Sequence, residues 1–416
     1  MAVELVHFAQ DGKSLRRLAV AILLQVAFKQ LVDLIQGILF HHGWSEDTPK
    51  RQVFAGLQAA GGNLRSEFCV RLGMEQKTNK QRVALITGIT GQDGSYLASH
   101  LLRQGYRVFG FVRHESWAGC RVWSEEEKGQ ITPLHGDLSE GQDLAIALER
   151  ARPDEIYNLA SESRPSLSWR NPARTLSING EAAVRLFEAA RQIVPNARIF
   201  QASSSEMFGV PSEIPQTSKT PFLPSNPYAA SKVYAHQMAG ILRSAYGMYI
   251  SCGILFNHES ERRPNHFLTQ KIAYGAACAA RGITTSTRLN ERGRPMVENG
   301  KLMLGDLSVR RDWGHAPEFV EAMHLLLQND TPSDCVIGTG VSSSIADLCE
   351  AAYAHVGLDW RDHVASDEGL KRPLETGNTV ADPTEPEAVL GGWRATSTPS
   401  DWMGQMVDHQ AAQLPA

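Results

Sequence analysis

Apolar residues fall into two textures along the chain. From Leu15 to Phe40 they form one long run in which Gln25, Lys29, Asp33 and Gln36 recur at spacings of four, four and three, a polar stripe that predicts an amphipathic helix over about 15–40. Lys29 and Asp33 would lie inside any membrane span placed there, so a membrane role is disfavoured. Arg16-Arg17 ahead of an apolar stretch has the outline of a secretory leader, but Glu4 and Asp11 fall in the would-be basic part and no small-residue cleavage site follows. Residues 1–79 are therefore set apart as an N-terminal extension of unknown role.

From Gln81 the texture changes to short apolar runs alternating with amphipathic stretches. Strands are predicted at Arg82–Ile86, Arg107–Val112, Asp154–Ala160, Ala197–Ala202, Tyr249–Phe256 and Cys335–Gly338. Helices are predicted from about Gln92 to Leu102, up to Arg150, over Ser177–Ile193, from Pro227, over Ala316–Leu327 and over Ile345–Val356. This alternation predicts an α/β fold: a doubly wound parallel-sheet Rossmann domain over 80–251, completed by parts of 314–345. A smaller C-terminal α/β domain over 252–313 and 346–416 would hold the substrate. Residues 282–303, rich in Gly, Arg, Asn and Thr, read as a long polar loop suited to a lid or an assembly element.

Composition narrows the picture without changing it. A net charge of -4 and the lack of a long basic run argue against a nucleic-acid partner. The six cysteines are scattered, with no CxxC pair and no His at ligand spacing, so reduced packing thiols, no metal and a cytoplasmic location are expected.

Candidate chemistry enters at the strand ends. Gly88, Ile89, Thr90, Gly91, Gln92, Asp93 and Gly94 lie between a strand and a helix with glycines at a three-residue spacing. That pattern allows a tight turn and close approach of backbone N–H groups to a pyrophosphate. The second strand ends at Arg113 rather than at a carboxylate that would hold a ribose diol, which suits a 2′-phosphate and favours NADP over NAD.

The strand at 197–202 delivers Ser203-Ser204-Ser205-Glu206 to the sheet's carboxyl end, and the next helix carries Tyr228 and Lys232 at i and i+4, on one face. An ammonium beside a phenol lowers its pKa. A fall of roughly three units is worth about 4 kcal/mol, which Lys232 and a positive nicotinamide could share.

A hydroxyl at a strand end with Tyr-xxx-Lys on the following helix resembles the extended short-chain dehydrogenase/reductase superfamily. Within it, residues 82–394 are similar to the GDP-mannose 4,6-dehydratases, through the phrases at 87–94, 203–209 (Ser-Ser-Ser-Glu-Met-Phe-Gly), 227–232, 253–260 (Gly-Ile-Leu-Phe-Asn-His-Glu-Ser) and 311–315 (Arg-Asp-Trp-Gly-His). The resemblance implies oxidation of the hexose at C4, elimination of water across C5 and C6, and return of the hydride to C6. Tyr228 would deprotonate the C4 hydroxyl, Ser204 would hold its oxygen, and Lys232 would support both the phenolate and the nicotinamide ribose. Glu206 would act on the C5 proton and the departing C6 hydroxyl; a simple epimerase or reductase has no need of that base.

By motif position the resemblance also places Asp137 and Leu138 near the adenine, and Leu159, Ala160, Ser161 and Ser163 along the cofactor. His258 and Arg263 match further cofactor contacts; in that family the Arg-Arg loop reaches a neighbouring subunit and helps form a tetramer. Asn257, Lys271, Arg311, Arg372 and Glu375 are the candidates for the nucleotide sugar, with arginines matching diphosphate oxygens. A homodimer or homotetramer acting on GDP-mannose or a related nucleotide sugar is expected.

The chain departs from the family pattern at Glu162, Arg174, Glu261 and Pro264, where Gln, Tyr, Pro and Gly are usual, and in the longer 282–303 segment. Two alternatives remain open at this point: another nucleotide-sugar dehydratase, epimerase or 4-reductase of the same fold, and a non-catalytic NADP-binding regulatory protein.

Overall fold

Seven short strands pair side by side, and the inner ones are buried on both faces, as parallel strands between two helical layers must be. In the computed structural model, which describes residues 81–416 apart from 121, 291, 371–376 and 416, the strands in chain order are β1 (Val83–Thr87), β2 (Arg107–Val112), β3 (Ile131–His135), β4 (Glu155–Asn158), β5 (Arg198–Ser204), β6 (Ile250–Leu255), β7 (Asn257–Glu259), β8 (Val297–Glu298), β9 (Lys301–Leu304), β10 (Arg310–His315), β11 (Cys335–Ile337), β12 (Ser342–Ser344) and β13 (Val364–Ser366). The main sheet has the order β11-β6-β5-β4-β1-β2-β3 with all pairs parallel. The amphipathic helix expected at 15–40 lies outside the described residues. Among those described, no helix is long and apolar enough to cross a membrane.

The period-2 alternation of the strands divides the core in two. Ala84 and Ile86 face the helices Gln92–Arg103 and Ala316–Leu326, packing with Leu97, Leu101, Phe319, Met323 and Leu326. Leu85, on the opposite face, packs with Phe109, Ile156, Leu186, Phe187, Ala235 and Ala239 from the other helical layer. Each fully buried Leu or Phe there contributes about 1.5–3 kcal/mol. A third cluster, including Leu302, Leu304, Trp313, Tyr353 and Trp402, ties β8, β9 and β10 to the helices Leu268–Ala280, Ile345–His355 and Pro399–Gln413.

Three sequence expectations need correction. The stretch 282–303 is no plain loop: β8 and β9 form an antiparallel hairpin pairing Val297 with Leu302, its turn made by Asn299 and Gly300 at φ 53° and 74°. Asn-Gly supplies the two left-handed residues such a turn needs, and Val297 and Leu302 are buried beneath it. The strand Ile131–His135 was not anticipated, since Pro133 argues against a ladder; β3 is the sheet edge, where Pro is tolerated. The helix expected from Ser177 begins as a π-helical turn over Ser177–Glu181 before the regular Ala182–Ile193.

Candidate functional site

The chain runs outward from β1 through β2 and β3, then crosses back to β4, so a crevice opens at the carboxyl ends of β1 and β4. The glycine turn lies there. Gly88 has φ +68°, and a Cβ on it would stand 2.8 Å from the Ala160 backbone; one on Gly94 would stand 2.4 Å from the Gly88 carbonyl oxygen. The helix Gln92–Arg103 starts from Gly91, which brings no capping side chain, so its first N–H groups point toward the crevice mouth.

The side chains of that turn are tied to the segment after β6. Gln92 donates to the His258 carbonyl at 3.0 Å and accepts from Ser260 at 2.9 Å. Asp93 makes a 3.0 Å ion pair with His258, whose ring also bonds the Phe256 carbonyl at 2.7 Å. Burial alone would raise Asp93, but the His258 cation beside it holds the carboxyl at about 2. Burial alone would strip His258 of its proton, and Asp93 more than restores it, leaving its pKa raised.

Around the crevice a polar ladder crosses the strand ends. Thr87 donates to Asn158 at 2.8 Å while its hydroxyl receives the N–H groups of Leu159 and Ala160 at 3.1 and 3.2 Å, and Asn158 donates to Gln201 at 2.7 Å. Asn179, buried on the π-helical turn, accepts from Ser161 and the Glu162 N–H at 3.0 and 2.8 Å and donates to Ser231 at 3.2 Å. Ser163 is exposed. At the β2 end Arg113 is exposed, and Asp137 sits below the usual carboxylate range, first because Ser139 donates to it and then because Arg113 and Arg174 are near. Leu138 packs against the core edge.

The end of β5 and the helix Pro227–Tyr246 bring Ser204, Glu206, Tyr228 and Lys232 together. Asn226 caps that helix by accepting from the Ala229 N–H at 2.8 Å, Pro227 takes its first position, and Gly247, at φ 66°, ends it. Tyr228, Lys232, Ala235 and Ala239 lie on its buried face. The Asn226 amide also donates to Glu206 at 2.9 Å, and Ser204 accepts from the Glu206 N–H at 3.3 Å. Ser203, next in line, bonds His236 at 2.9 Å.

The electrostatics of the pair differ from the simple expectation. Burial pushes Tyr228 up to about 12, against the pull of a Ser204 hydrogen bond and, further off, of Arg263. Burial likewise brings Lys232 down to about 8, and its ammonium donates to the Ala202 carbonyl at 3.0 Å, 5.8 Å from the Tyr228 ring centre. Burial thus disfavours the charged form of each: the Tyr228 phenol keeps its proton at neutral pH, whereas Lys232 still carries its charge there and loses it as pH rises past about 8.

A sequence model of the GDP-mannose 4,6-dehydratases matches residues 85–406. The chain belongs to the GDP-mannose 4,6-dehydratase family. It is 40% identical to GDP-mannose 4,6 dehydratase 1 of Arabidopsis thaliana over 325 residues, 76% of this chain and 85% of that one. It is 35% identical to the GDP-mannose 4,6-dehydratase of Sinorhizobium fredii over 359 residues, 80% of this chain and 98% of that one. The fold also matches UDP-glucose 4-epimerase from Thermus thermophilus in complex with NAD, at a TM-score of 0.65 and 22% identity, over 80% of this chain and 99% of that one.

For a member of this family the remaining nominated residues are placed unevenly. Asn257 and Lys271 are half-buried, on β7 and on the helix Leu268–Ala280. Lys271, Arg164 and Arg263 all lie close enough to His266 to depress its pKa, after burial. Arg311 is buried and donates to the carbonyls of Arg310 and Gly377 at 2.7 and 3.1 Å. Arg372 and Glu375 lie outside the described residues. Sequence reasoning missed Asn179 and Asn226; Asn226 was findable as the cap before Pro227, whereas the partners of Asn179 lie 17 to 52 residues away. Among the described residues no group of three or more His, Cys, Asp or Glu is placed to hold a metal ion.

Proposed function

We propose that the protein converts GDP-D-mannose to GDP-4-keto-6-deoxy-D-mannose and water, using NADP. The observation that carries the reading is Glu206, a carboxylate steadied by Asn226 just past the end of β5, two residues after Ser204 and beside the face bearing Tyr228 and Lys232. A site for hydride transfer alone needs no such base.

The residues present fit a dinucleotide. No Cβ fits at Gly88 or Gly94 because the turn packs directly on the Ala160 backbone and on itself, the tight strand-to-helix turn on which a pyrophosphate rests, and the helix start is free of a side-chain cap. Arg113, with Arg174 near the same carboxylate, supports a 2′-phosphate and so NADP. When bound, NADP supplies the hydride acceptor and a positively charged ring.

Tyr228 takes the proton of the C4 hydroxyl as hydride leaves C4, and Ser204 holds that oxygen by hydrogen bonding. The resulting 4-keto group acidifies the C5 proton, which Glu206 removes; the same carboxyl then protonates the C6 hydroxyl as it departs as water. Hydride returns to C6 and the proton held by Tyr228, exchangeable with solvent, is given up to C5, so the sugar loses one water with no net oxidation and Tyr228 is restored. Lys232 supports the phenolate. Asn257, Lys271 and Arg311, together with Arg372 and Glu375, are the candidates for holding the GDP moiety.

A homo-oligomer fits the outer face of the helix Pro227–Tyr246, where Tyr234 and Ile241, seven residues apart, are 42% and 55% exposed near Leu176 at 41%. The buried free thiols Cys120, Cys252, Cys278, Cys335 and Cys349 fit a reducing, cytoplasmic setting.

The test is to incubate purified protein with GDP-mannose and NADP in deuterated water and to analyse the product by NMR. A 4-keto-6-deoxy product carrying deuterium at C5 is expected. Unchanged GDP-mannose beside turnover of another nucleotide sugar would refute the reading.

A further inference from the structure

The segment Ser260–Arg263 carries two adjacent arginines, and its contacts divide them between two tasks. Arg262 lies over the Tyr96 ring at 4.0 Å and donates to the Ser95 hydroxyl at 3.3 Å. Both partners sit on the first turns of the helix that starts at the glycine turn. Glu261 completes this contact: it accepts the Tyr96 hydroxyl and lies 3.9 Å from the Arg262 guanidinium. The Tyr96 phenol is raised well above its ordinary range, first by burial and then by that carboxylate, so it remains a donor. Arg263 turns the other way. It pairs with the buried Glu259 at 3.2 Å, stacks on Phe267 at 3.8 Å, and is felt by Asp93, Tyr228 and His258.

The backbone between them is pinned from behind. Gln270 donates to the carbonyls of both Ser260 and Glu261 at 3.1 Å, and the Ser260 hydroxyl receives the Arg262 N–H at 3.2 Å while bonding Gln92 at 2.9 Å.

We propose that Glu261 is a positioning residue: its carboxylate latches the Arg262-Arg263 loop to the phosphate-turn helix through Tyr96 and so holds Arg263 at the cofactor crevice. The proposal rests on the reading of that crevice as the NADP site. Without the carboxylate, the Tyr96 hydroxyl loses its acceptor and Arg262 its counter-charge at once. The loop would then keep its attachments through Ser260 and Gln270, with Arg262 left to its stacking on Tyr96 and its hydrogen bond to Ser95 and no carboxylate tying the two together.

Calorimetric titration of NADP into wild type, Glu261→Gln, Glu261→Ala, Tyr96→Phe and the Tyr96→Phe/Glu261→Ala double variant tests the latch. Glu261→Ala should weaken NADP by about tenfold, the value of one charge-assisted hydrogen bond, with Glu261→Gln between it and wild type because the amide oxygen still accepts from Tyr96. The double variant should bind no more weakly than Glu261→Ala alone, since both substitutions break one contact. Unchanged affinity in Glu261→Ala, or losses that add in the double variant, would overturn the latch; a wild type that binds no NADP would instead bring down the cofactor reading beneath it.

Discussion

Asn226 holds two things with one amide, and the two can be separated by substitution. Its oxygen caps the helix Pro227–Tyr246 and its nitrogen donates to Glu206. Asn226→Ala removes both. The lost cap costs about 1 kcal/mol of stability, and a lost hydrogen bond to a charged group, worth about 1.5–3 kcal/mol, would appear in turnover as roughly a 10- to 150-fold fall. Asn226→Asp is the sharper probe. Asp caps as well as Asn, so the helix start is kept and any stability lost comes from the carboxylate set beside Glu206. The new carboxylate oxygen would face Glu206 where the amide stood at 2.9 Å. Two such charges repel by about 4 kcal/mol near 4 Å at an effective dielectric of ~20, so one of the two carboxyls would hold a proton at neutral pH and Glu206 would cease to be a free base. Thermal melts and the rate of C5 deuterium incorporation together read the result: Asn226→Ala loses stability and rate alike at every pH, whereas Asn226→Asp loses rate at neutral pH and recovers it as pH rises, while its stability falls over the same range. Wild-type turnover in Asn226→Asp at neutral pH would refute the claim that this amide steadies the C5 base.

Three further outcomes follow from the geometry. Lys232 is brought to about 8 by burial, so it loses its charge as pH rises through that value; kcat/KM should carry an alkaline limb near there, and Lys232→Arg should remove the limb while lowering the plateau. His100 and His324, 3.0 Å apart, are each held near 4, first by burial and then, for His100, by the neighbouring ring. Folded values below the unfolded 6.5 mean the unfolded chain binds protons first, so their contribution is full above pH 6.5 and is lost as pH falls toward 4. The urea midpoint should drop across that window, and less so in His324→Gln. Gly94→Ala would set a Cβ 2.4 Å from the Gly88 carbonyl oxygen and 2.6 Å from the Ile89 Cα, contacts that only backbone movement relieves. A cost of about 1–3 kcal/mol in stability and loss of NADP binding are expected, read by melts and calorimetry.

Local rules made much of the fold readable in the chain. Val83–Thr87 shows itself as an unbroken apolar run bounded by a glycine turn, and the helix Pro227–Tyr246 is punctuated at both ends by Asn226-Pro227 and Gly247. What escaped was decided by partners far along the chain. The β8–β9 hairpin has only one buried residue on its first strand and gains its third strand from β13, some sixty residues later. Its Asn-Gly turn was legible, but the polar residues around it concealed the strands. The π-helical turn at Ser177–Glu181 exists to bring Asn179 against Ser161, Glu162 and Ser231. Nothing in the local spacing of Ser177-Ile178-Asn179-Gly180 marks it, because the cost of the irregular turn is offset by contacts from two other elements.

The same division explains why spacing placed Tyr228 and Lys232 correctly but gave the wrong sign for the tyrosine in the protein alone. An i,i+4 pair on a solvated helix would share charge, each ion stabilising the other. Here the pair is buried, with Lys232 only 4% exposed, and desolvation penalises the phenolate and the ammonium alike. The Lys232 ammonium satisfies itself on the Ala202 carbonyl, and the Arg263 cation pulls on Tyr228 without overcoming burial. Reactivity then requires a further positive charge in the crevice, so the base should be switched on by the oxidised cofactor and by no other ligand. The check is a spectrophotometric titration of the phenolate in wild type against Tyr228→Phe. Without cofactor, the Tyr228 component should ionise near 12. With NADP⁺ it should fall by roughly one to three units, the range an adjacent opposite charge produces, and with NADPH, whose ring is neutral, it should stay high. An equal fall with both forms would mean that ordering of the site, rather than the charge of the ring, activates Tyr228.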